Sequence, residues 1–541
     1  MPASYSQDVP GTLRPGQIEK QFEKRPRPKA DQPSAVQVDK VPLPEPPAEM
    51  FEQKFQLTKL SFDGATVFDQ DELLEESGAQ TGVESSIGDL YVYANNLTRY
   101  YRSKGYVLAR VIVPEQSIQD GAAALRVFEG YIDRIEYSAE GHVPGDRIKG
   151  MLDRILEVRP VNISDLERYL LLVNDLDGVF ASGTLVQGSE LGASTLVVGL
   201  NFYKFDVGAG ADNRASEAFG TYRFRLEGDI NSVFGGYQTA GIFASLNKEL
   251  KFLRLAYDQP IGTDGASAFV IGTITRSEPE LAALVDPLAT DSDRLIFGIE
   301  YPIHRSRSSN LAIRSTFTLH HDETEFANIK LSENKVRPLR LGIRYDLYDK
   351  YRGVNLVDFE VSKGLPILGA SDSDFDETSP PNADFNFTKL NWYLARLQYF
   401  GGSGWSMLLA FEGQYAFDVL PTSEGYAWGG EFIGRAYDPS ELFGDSGLGV
   451  KAELRYLQDY NGFFKRLEPY LFADAGRSDR RDPAPGVDNR ESASSAGAGL
   501  RFDFAGGFTG YLEVAKPLTK EVNLEGNKDA RVFGAISWRF F

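Results

Sequence analysis

The side chain best placed to do chemistry is a single arginine, Arg435, within the Gly-rich stretch Gly429 to Leu454, GGEFIGRAYDPSELFGDSGLGVKAEL. The stretch opens on Gly429-Gly430, turns at Arg435-Ala436-Tyr437 and closes on Gly444-Asp445-Ser446-Gly447. Glycine admits positive φ and close backbone approach, both of which a loop folding back on itself requires. The residues then alternate, with Leu448, Val450, Ala452 and Leu454 on one side and Gly449, Lys451, Glu453 and Arg455 on the other. That period of two describes a strand with one apolar and one polar face. A guanidinium at such a loop tip can clamp a carboxylate in a directional pair, which is positioning rather than bond-making chemistry. Read alone, the stretch fits a solvated hairpin loop equally well.

Bond-making constellations do not assemble elsewhere. No G-x-S-x-G elbow, phosphate-cradling G-x-x-x-x-G-K or H-E-x-x-H motif occurs, and abundant carboxylates scattered through loops do not point to acid–base catalysis. The four histidines are His142, His304, His320 and His321. The adjacent pair would face opposite sides of a strand and share no metal. The reading is therefore not an enzyme, with no cofactor and no metal.

Composition bounds the class. The 541 residues include 53 Gly, 26 Tyr, 36 Phe and no Cys, with a formal net charge of −20. Many glycines and aromatics at modest hydropathy suit an outer-membrane barrel, in which only alternate residues face lipid. The missing cysteines exclude a disulfide-stapled domain, and the acidic balance argues against nucleic acid. No apolar run is long enough for a membrane-spanning helix. The polar start, Met1-Pro2-Ala3-Ser4-Tyr5-Ser6, does not read as a secretory signal, so export implies that a signal has been removed.

Along the chain, a short polar helix is expected over residues 15–25, with Ile18 and Phe22 four apart among charges. Seven prolines between Pro26 and Pro47 predict an extended linker. A globular pattern begins at Phe55. A strand at Leu57–Phe62 precedes a helix capped by Asp69, and a second helix over 88–104 carries Leu90, Tyr93, Ala94, Leu97 and Tyr101 on one face. Strands follow at 107–113 and 124–129. The order then repeats, with a strand from Gly130, a helix over 144–158, a helix capped by Ser164, and strands at 180–187 and 194–201. From Lys204 to Phe541 short alternating strands replace helical periodicity. At roughly 20 residues per strand and connection they make about 16 strands. Acidic stretches at 278–293, 370–384 and 478–495 read as external loops.

These features together resemble the two-partner secretion transporters of haemolysin secretion/activation type, in the POTRA-plus-barrel superfamily. Ile433-Gly434-Arg435-Ala436-Tyr437 resembles that superfamily's V-R-G-Y/F loop tip, with Ala436 standing where the family usually has Gly. Tyr470-Leu471-Phe472-Ala473-Asp474-Ala475-Gly476 resembles the barrel-wall motif F-x-D-x-G (Phe472, Asp474, Gly476), whose Asp receives the loop arginine. The ending Trp538-Arg539-Phe540 resembles the family's aromatic-Arg-Phe terminus, from which Phe541 departs by one residue.

The resemblance implies α+β periplasmic POTRA domains followed by an all-β transmembrane barrel of about 16 antiparallel strands. The expected divisions are an N-terminal segment 1–25 with a plug helix (Gln17, Ile18, Lys20, Phe22) and a linker 26–53. POTRA units at 54–130 and 131–203 follow, then a barrel 204–541 with a folded-back loop around 429–447. It also implies a large secreted exoprotein with an N-terminal secretion domain as partner, outer-membrane lipid around the barrel, insertion by the barrel-assembly machinery, and a monomer. Two POTRA units and a plug distinguish this from a membrane-protein insertase. A passive porin would need neither.

Overall fold

In the computed structural model of the chain, residues 11–14, 16–23, 25–30, 36–38, 43, 45–138, 143–280, 288–372, 378–483, 486 and 488–540 are described. Pro15, His142, Phe541 and parts of the linker and of the acidic stretches lie outside them. From Phe205 to Arg539 the chain closes into an antiparallel barrel. Eighteen strands belong to the closed sheet. Two of them, Ile329–Val336 and Gln458–Asp459, ride on neighbours that also pair directly with the next strand, so the wall has sixteen. The first strand, Phe205–Asp212, closes on the last, Arg531–Arg539, through a short ladder from Gly208↔Arg539 to Asp212↔Ala535.

Alternation dictates which way the wall faces. In Trp405–Ala416, Trp405 and Phe411 are exposed to the outside while Ser406, Glu412 and Gln414 are buried within the lumen. On the last strand Ile536 and Trp538 face outward, and Trp538 stacks on Phe508. Such a wall has an apolar lipid face and a polar interior. The adjacent histidines separate likewise. His320 is buried against Ser292 and Asp322, whereas His321 pairs with Glu333 on the other face. The strands run further than the acidic stretches suggested. Asp291 and Asp293 lie within Leu288–Arg305, Asp479 ends Phe464–Asp479, and Arg490 begins Arg490–Phe504, because ladder pairing continues past the lipid face.

Two α+β units precede the barrel. In the first, helices α1 (Gln70–Ser77) and α2 (Ile87–Ser103) cover a sheet of Lys59–Asp63, Ala122–Phe128 and Arg110–Ile112. Asp69 accepts the Glu72 amide at 2.8 Å, and Ser86 with Asp89 forms a capping box that starts α2. Leu90, Ala94, Leu97 and Tyr101 point from α2 into a core with Leu57, Phe62 and Leu125. In the second unit, α3 (Asp146–Asp153) and α4 (Ile163–Asn174) cover strands Tyr131–Tyr137, Ala193–Phe202 and Val179–Gln187. Its second cap is Asn162, not Ser164. The Asn162 side chain accepts from Ser164 N while Asp165 returns to the Asn162 amide.

The strand from the Pro-rich segment has no counterpart in the sequence reading. Val36–Val38, from the Pro-rich segment, pairs in parallel with Gly183–Leu185 and so occupies the outer edge of the second unit's sheet. Val36 is buried in that unit's core.

Truncating Leu97, which has no exposed surface, leaves a cavity between α2 and the first sheet. Leu97→Ala should cost about 2–5 kcal/mol. It should lower the urea midpoint of the first unit while the barrel keeps its heat-modifiable migration on gels.

Candidate functional site

The longest connection in the barrel, between Trp405–Ala416 and Ser446–Tyr456, folds into the lumen instead of standing in solvent. A two-stranded ladder, Tyr426–Trp428 against Leu442–Gly444, carries it inward, and nearly every residue from Gly434 to Gly444 is buried. Three glycines permit the turn. Gly429, Gly430 and Gly434 have φ of 121°, 107° and 71°, and a Cβ on Gly434 would come within 2.9 Å of the Trp428 ring. Ala436 has no positive φ and is wholly buried, so its methyl group fits where a glycine would leave a gap.

The structure brings Arg435 and Asp474 together. The Arg435 amide and Nε donate to Asp474 Oδ2 at 3.1 and 3.0 Å, and Nη2 donates to Oδ1 at 3.0 Å. Nη1 donates to Glu453, and the guanidinium lies 3.6 Å above the Phe472 ring. The arginine is 2 % exposed. Two carboxylates and one aromatic face thus converge on it, and its own backbone amide adds a further bond to Asp474, the geometry for which a planar fork is suited.

Neighbouring groups complete the socket. Arg214 donates to the Arg435 carbonyl at 2.8 Å and pairs with Glu513. Arg531 donates to the Ala436 carbonyl at 3.1 Å and to Asp438 at 2.7 Å. Tyr437 donates from its hydroxyl to the Lys520 carbonyl at 2.9 Å, and its ring lies 5.5 Å from that of Trp428. Gly476 makes room for that indole, since a Cβ there would meet it at 2.5 Å.

The N-terminal segment rests on this loop. It forms two short 3₁₀ turns, Gly11–Leu13 and Ile18–Phe22, rather than a helix over 15–25. Its contacts dictate this form. Leu13, Ile18 and Phe22 reach an apolar patch of Ala218, Phe219, Leu250 and Phe252, with Phe22 stacked on Phe252 at 4.2 Å, while the polar residues between them bond to the loop and the wall. Gln17 donates to the Thr422 carbonyl and Lys20 to that of Gly425, both in the loop. Glu19 meets Arg294 at 2.8 Å and accepts from Thr275 at 2.8 Å. Arg223 joins all three layers, bonding Gln21, loop residue Glu431 and Asp212 of the first strand. The lumen beside the segment keeps a cavity of ≈ 680 Å³, whose walls include Arg254, Arg314, Arg344, Glu300 and Asp358.

Below the segment the chain leaves through the joint between the second α+β unit and the barrel. Lys29 meets Asp175 at 3.3 Å, Arg305 of the barrel holds the same carboxylate through two bonds of 2.9 and 3.1 Å, and the Ala30 amide donates to Asp346 at 2.7 Å. Six residues later the chain joins the sheet edge at Val36.

Comparison with known proteins accords with this arrangement. The family described as haemolysin secretion/activation protein ShlB/FhaC/HecB matches residues 193–502, and the POTRA domain of ShlB type matches residues 55–130. The chain belongs to the haemolysin secretion/activation protein family. It is an outer-membrane β-barrel transporter of two-partner secretion, with its POTRA domains in the periplasm. The heme/hemopexin transporter protein HuxB of Haemophilus influenzae (strain 86-028NP) is 24 % identical over 468 residues, 84 % of this chain and 81 % of HuxB. The hemolysin transporter protein ShlB of Serratia marcescens is 26 % identical over 480 residues, 86 % of this chain and 83 % of ShlB. Among solved structures, CdiB from Escherichia coli shares the fold at a TM-score of 0.75 and 18 % identity, covering 92 % of this chain and 94 % of that one.

Sequence reasoning did not identify Glu453, Arg214, Arg223 or Arg531 as partners of the loop. Glu453 stood on the polar face of an alternating strand, which is a visible signal. Arg214 closes a stretch, Gly210–Arg214, that resembles the family's first barrel strand, but nothing local in it points to the loop, and nothing local marks Arg223 or Arg531.

Filling the indole's pocket tests whether the loop depends on this packing. Gly476→Val should displace Trp428, shift its fluorescence to the red and make the loop sensitive to protease, with the barrel still folded. Unchanged fluorescence and protection would mean that the loop is held without it.

Proposed function

We propose that the transporter exports one large exoprotein by a displacement sequence that starts at its POTRA domains. The unfolded client's N-terminal secretion domain adds to a POTRA strand edge, main chain to main chain. Competition at the edge held by Val36–Val38 frees the linker, and the N-terminal segment then leaves the lumen. At about 3.1 Å per residue, the 25 residues from Pro26 to Met50 reach roughly 75 Å, enough for that exit. The client threads through the barrel, and burial of its apolar surface outside the cell supplies the drive. The clamp of Arg435 on Asp474 keeps the folded-back loop against the wall during passage, and Tyr437 and Phe472 complete its seat.

The single observation that carries this reading is a succession of contacts made by the described residues of the N-terminal segment and linker. Residues 17–22 lie in the lumen against the folded-back loop, residues 29–30 pass the joint between the second α+β unit and the barrel, and residues 36–38 occupy that unit's sheet edge. In this account the chain works as a monomer, is inserted by the barrel-assembly machinery and performs no catalysis on its client.

Comparing the medium and the outer membrane of a strain lacking the gene, with and without the wild-type copy, tests the transport assignment. One large protein should vanish from the medium and return with the gene. A broad fall in outer-membrane barrels would instead mean an insertase. The displacement step has its own test, helped by the absence of native cysteine. Cysteines replacing Phe22 and Phe252, joined by a short bifunctional maleimide, should abolish secretion and pore conductance relative to the unlinked pair. Full secretion from the linked protein would reject displacement.

A further inference from the structure

The folded-back loop is gripped at a second place, on strands that the Arg435 clamp does not touch. Its inbound limb makes a 3₁₀ turn over Thr422–Glu424, preceded by Pro421. Glu424 is buried. Its carboxylate meets Lys389 of the strand Thr388–Tyr399 at 2.7 Å and Arg340 of the strand Pro338–Tyr348 at 2.5 Å. Its carbonyl accepts from Lys389 at 2.8 Å and from Gln414 at 2.9 Å. The wall therefore holds this residue by side chain and main chain together.

Glu424 also stands in the middle of the seat on which the N-terminal segment rests. Gln17 donates to the carbonyl of Thr422, two residues before it, and Lys20 to the carbonyl of Gly425, one residue after it. Between them Gly16 lies against Ser423, where a Cβ would meet that of the serine at 2.3 Å. The Thr422 end of the seat has an anchor of its own, since its amide and hydroxyl donate to the Ser379 carbonyl at 3.0 and 2.9 Å. The Gly425 end is fixed to the wall through Glu424.

The charges show why a carboxylate stands here. Lys20 has no carboxylate in ion-pair range among the described residues, and Lys389 has none there besides Glu424. Glu360 reaches Arg340 at 3.8 Å but bonds Arg314 at 3.0 Å. Lys389 repels Lys20, and Glu424 offsets that repulsion. Salt screens charges in such a buried place only weakly. Without the Glu424 charge, two cations on the wall would confront a third on the segment. Of the three, Lys20 is the one carried by a removable element.

We propose that Glu424 is a positioning residue that sets how firmly the N-terminal segment is held at rest, by offsetting Lys389 and Arg340 so that Lys20 docks at Gly425. The inference takes from the displacement account only that this segment occupies the lumen at rest and is able to leave it.

The test is single-channel recording of the purified full-length protein in planar bilayers, with no client present. Glu424→Gln keeps the size of the side chain and removes its charge. Open probability should rise roughly tenfold, the loss of one charge-assisted contact. In the same variant, the maleimide link between cysteines replacing Phe22 and Phe252 should return it to the resting value, because the added openings are the segment leaving. A second substitution separates charge balance from mere support of the loop. Adding Lys389→Gln to Glu424→Gln removes the repelling cation and should bring open probability back toward the wild type. Were Glu424 simply a strut, losing the bonds of Lys389 as well would open the pore further. Protease protection of the loop and Trp428 fluorescence should match the wild type in both variants, since Arg435 still holds the tip. Wild-type open probability in Glu424→Gln overturns the proposal, as do openings that survive the link or a double variant more open than the single one. Loss of loop protection overturns it too, because the loop and not the segment would then have moved. Full secretion by the linked protein, with these conductance results intact, would reject displacement and leave the role of Glu424 standing.

Discussion

Everything inside the barrel leans on one buried arginine. Arg435 is the point at which a connection long enough to fall into solvent is instead tied to the wall, through Asp474 and Glu453 on two different strands. Removing one partner of such a pair strands a buried charge, at a cost of about 3–5 kcal/mol. Its value lies less in net stability than in specifying one loop position among many. The socket enforces this choice from several sides, since Arg214 and Arg531 bond the carbonyls on either side of the tip and Gly476 admits Trp428.

The loop so fixed becomes the floor on which the N-terminal segment sits. Gln17 and Lys20 bond loop carbonyls, Glu19 reaches the wall, and Arg223 ties segment, loop and first strand into one network. Polar contacts of this kind suit a removable element. Each is exchangeable for water, whereas the apolar patch around Phe22 and Phe252 is small. In the proposed displacement, this stretch couples the lumen to the periplasm. Asp175 of the second α+β unit is shared between Lys29 and the barrel's Arg305, so a shift of that unit bears directly on the chain that follows the N-terminal segment.

Much of this was legible in the sequence because alternation and capping are local. The faces of Ser446–Tyr456 and Trp405–Ala416, the cap at Asp69 and the helix face of Leu90, Ala94 and Leu97 follow from spacing alone. The cap at Asn162 was displaced by two residues, because Asn and Ser both suit that position and only the reciprocal bond to Asp165 decides between them. The 3₁₀ form of Ile18–Phe22 is imposed by the lumen, and the strand Val36–Val38 by a sheet edge far along the chain. Neither partner lies near in sequence. Arg214, Arg223 and Arg531 acquire meaning only when closure of the barrel brings the first and last strands beside the loop.

The measurement that bears most directly on this account is a double-mutant cycle on secretion itself. Arg435→Ala, Asp474→Ala and the double variant are expressed to equal levels in the outer membrane, and the exported protein is quantified in the medium. If the pair acts as one clamp, each single variant loses most secretion and the double is no worse than either. Losses that multiply in the double variant, or undiminished secretion from Arg435→Ala, would contradict it.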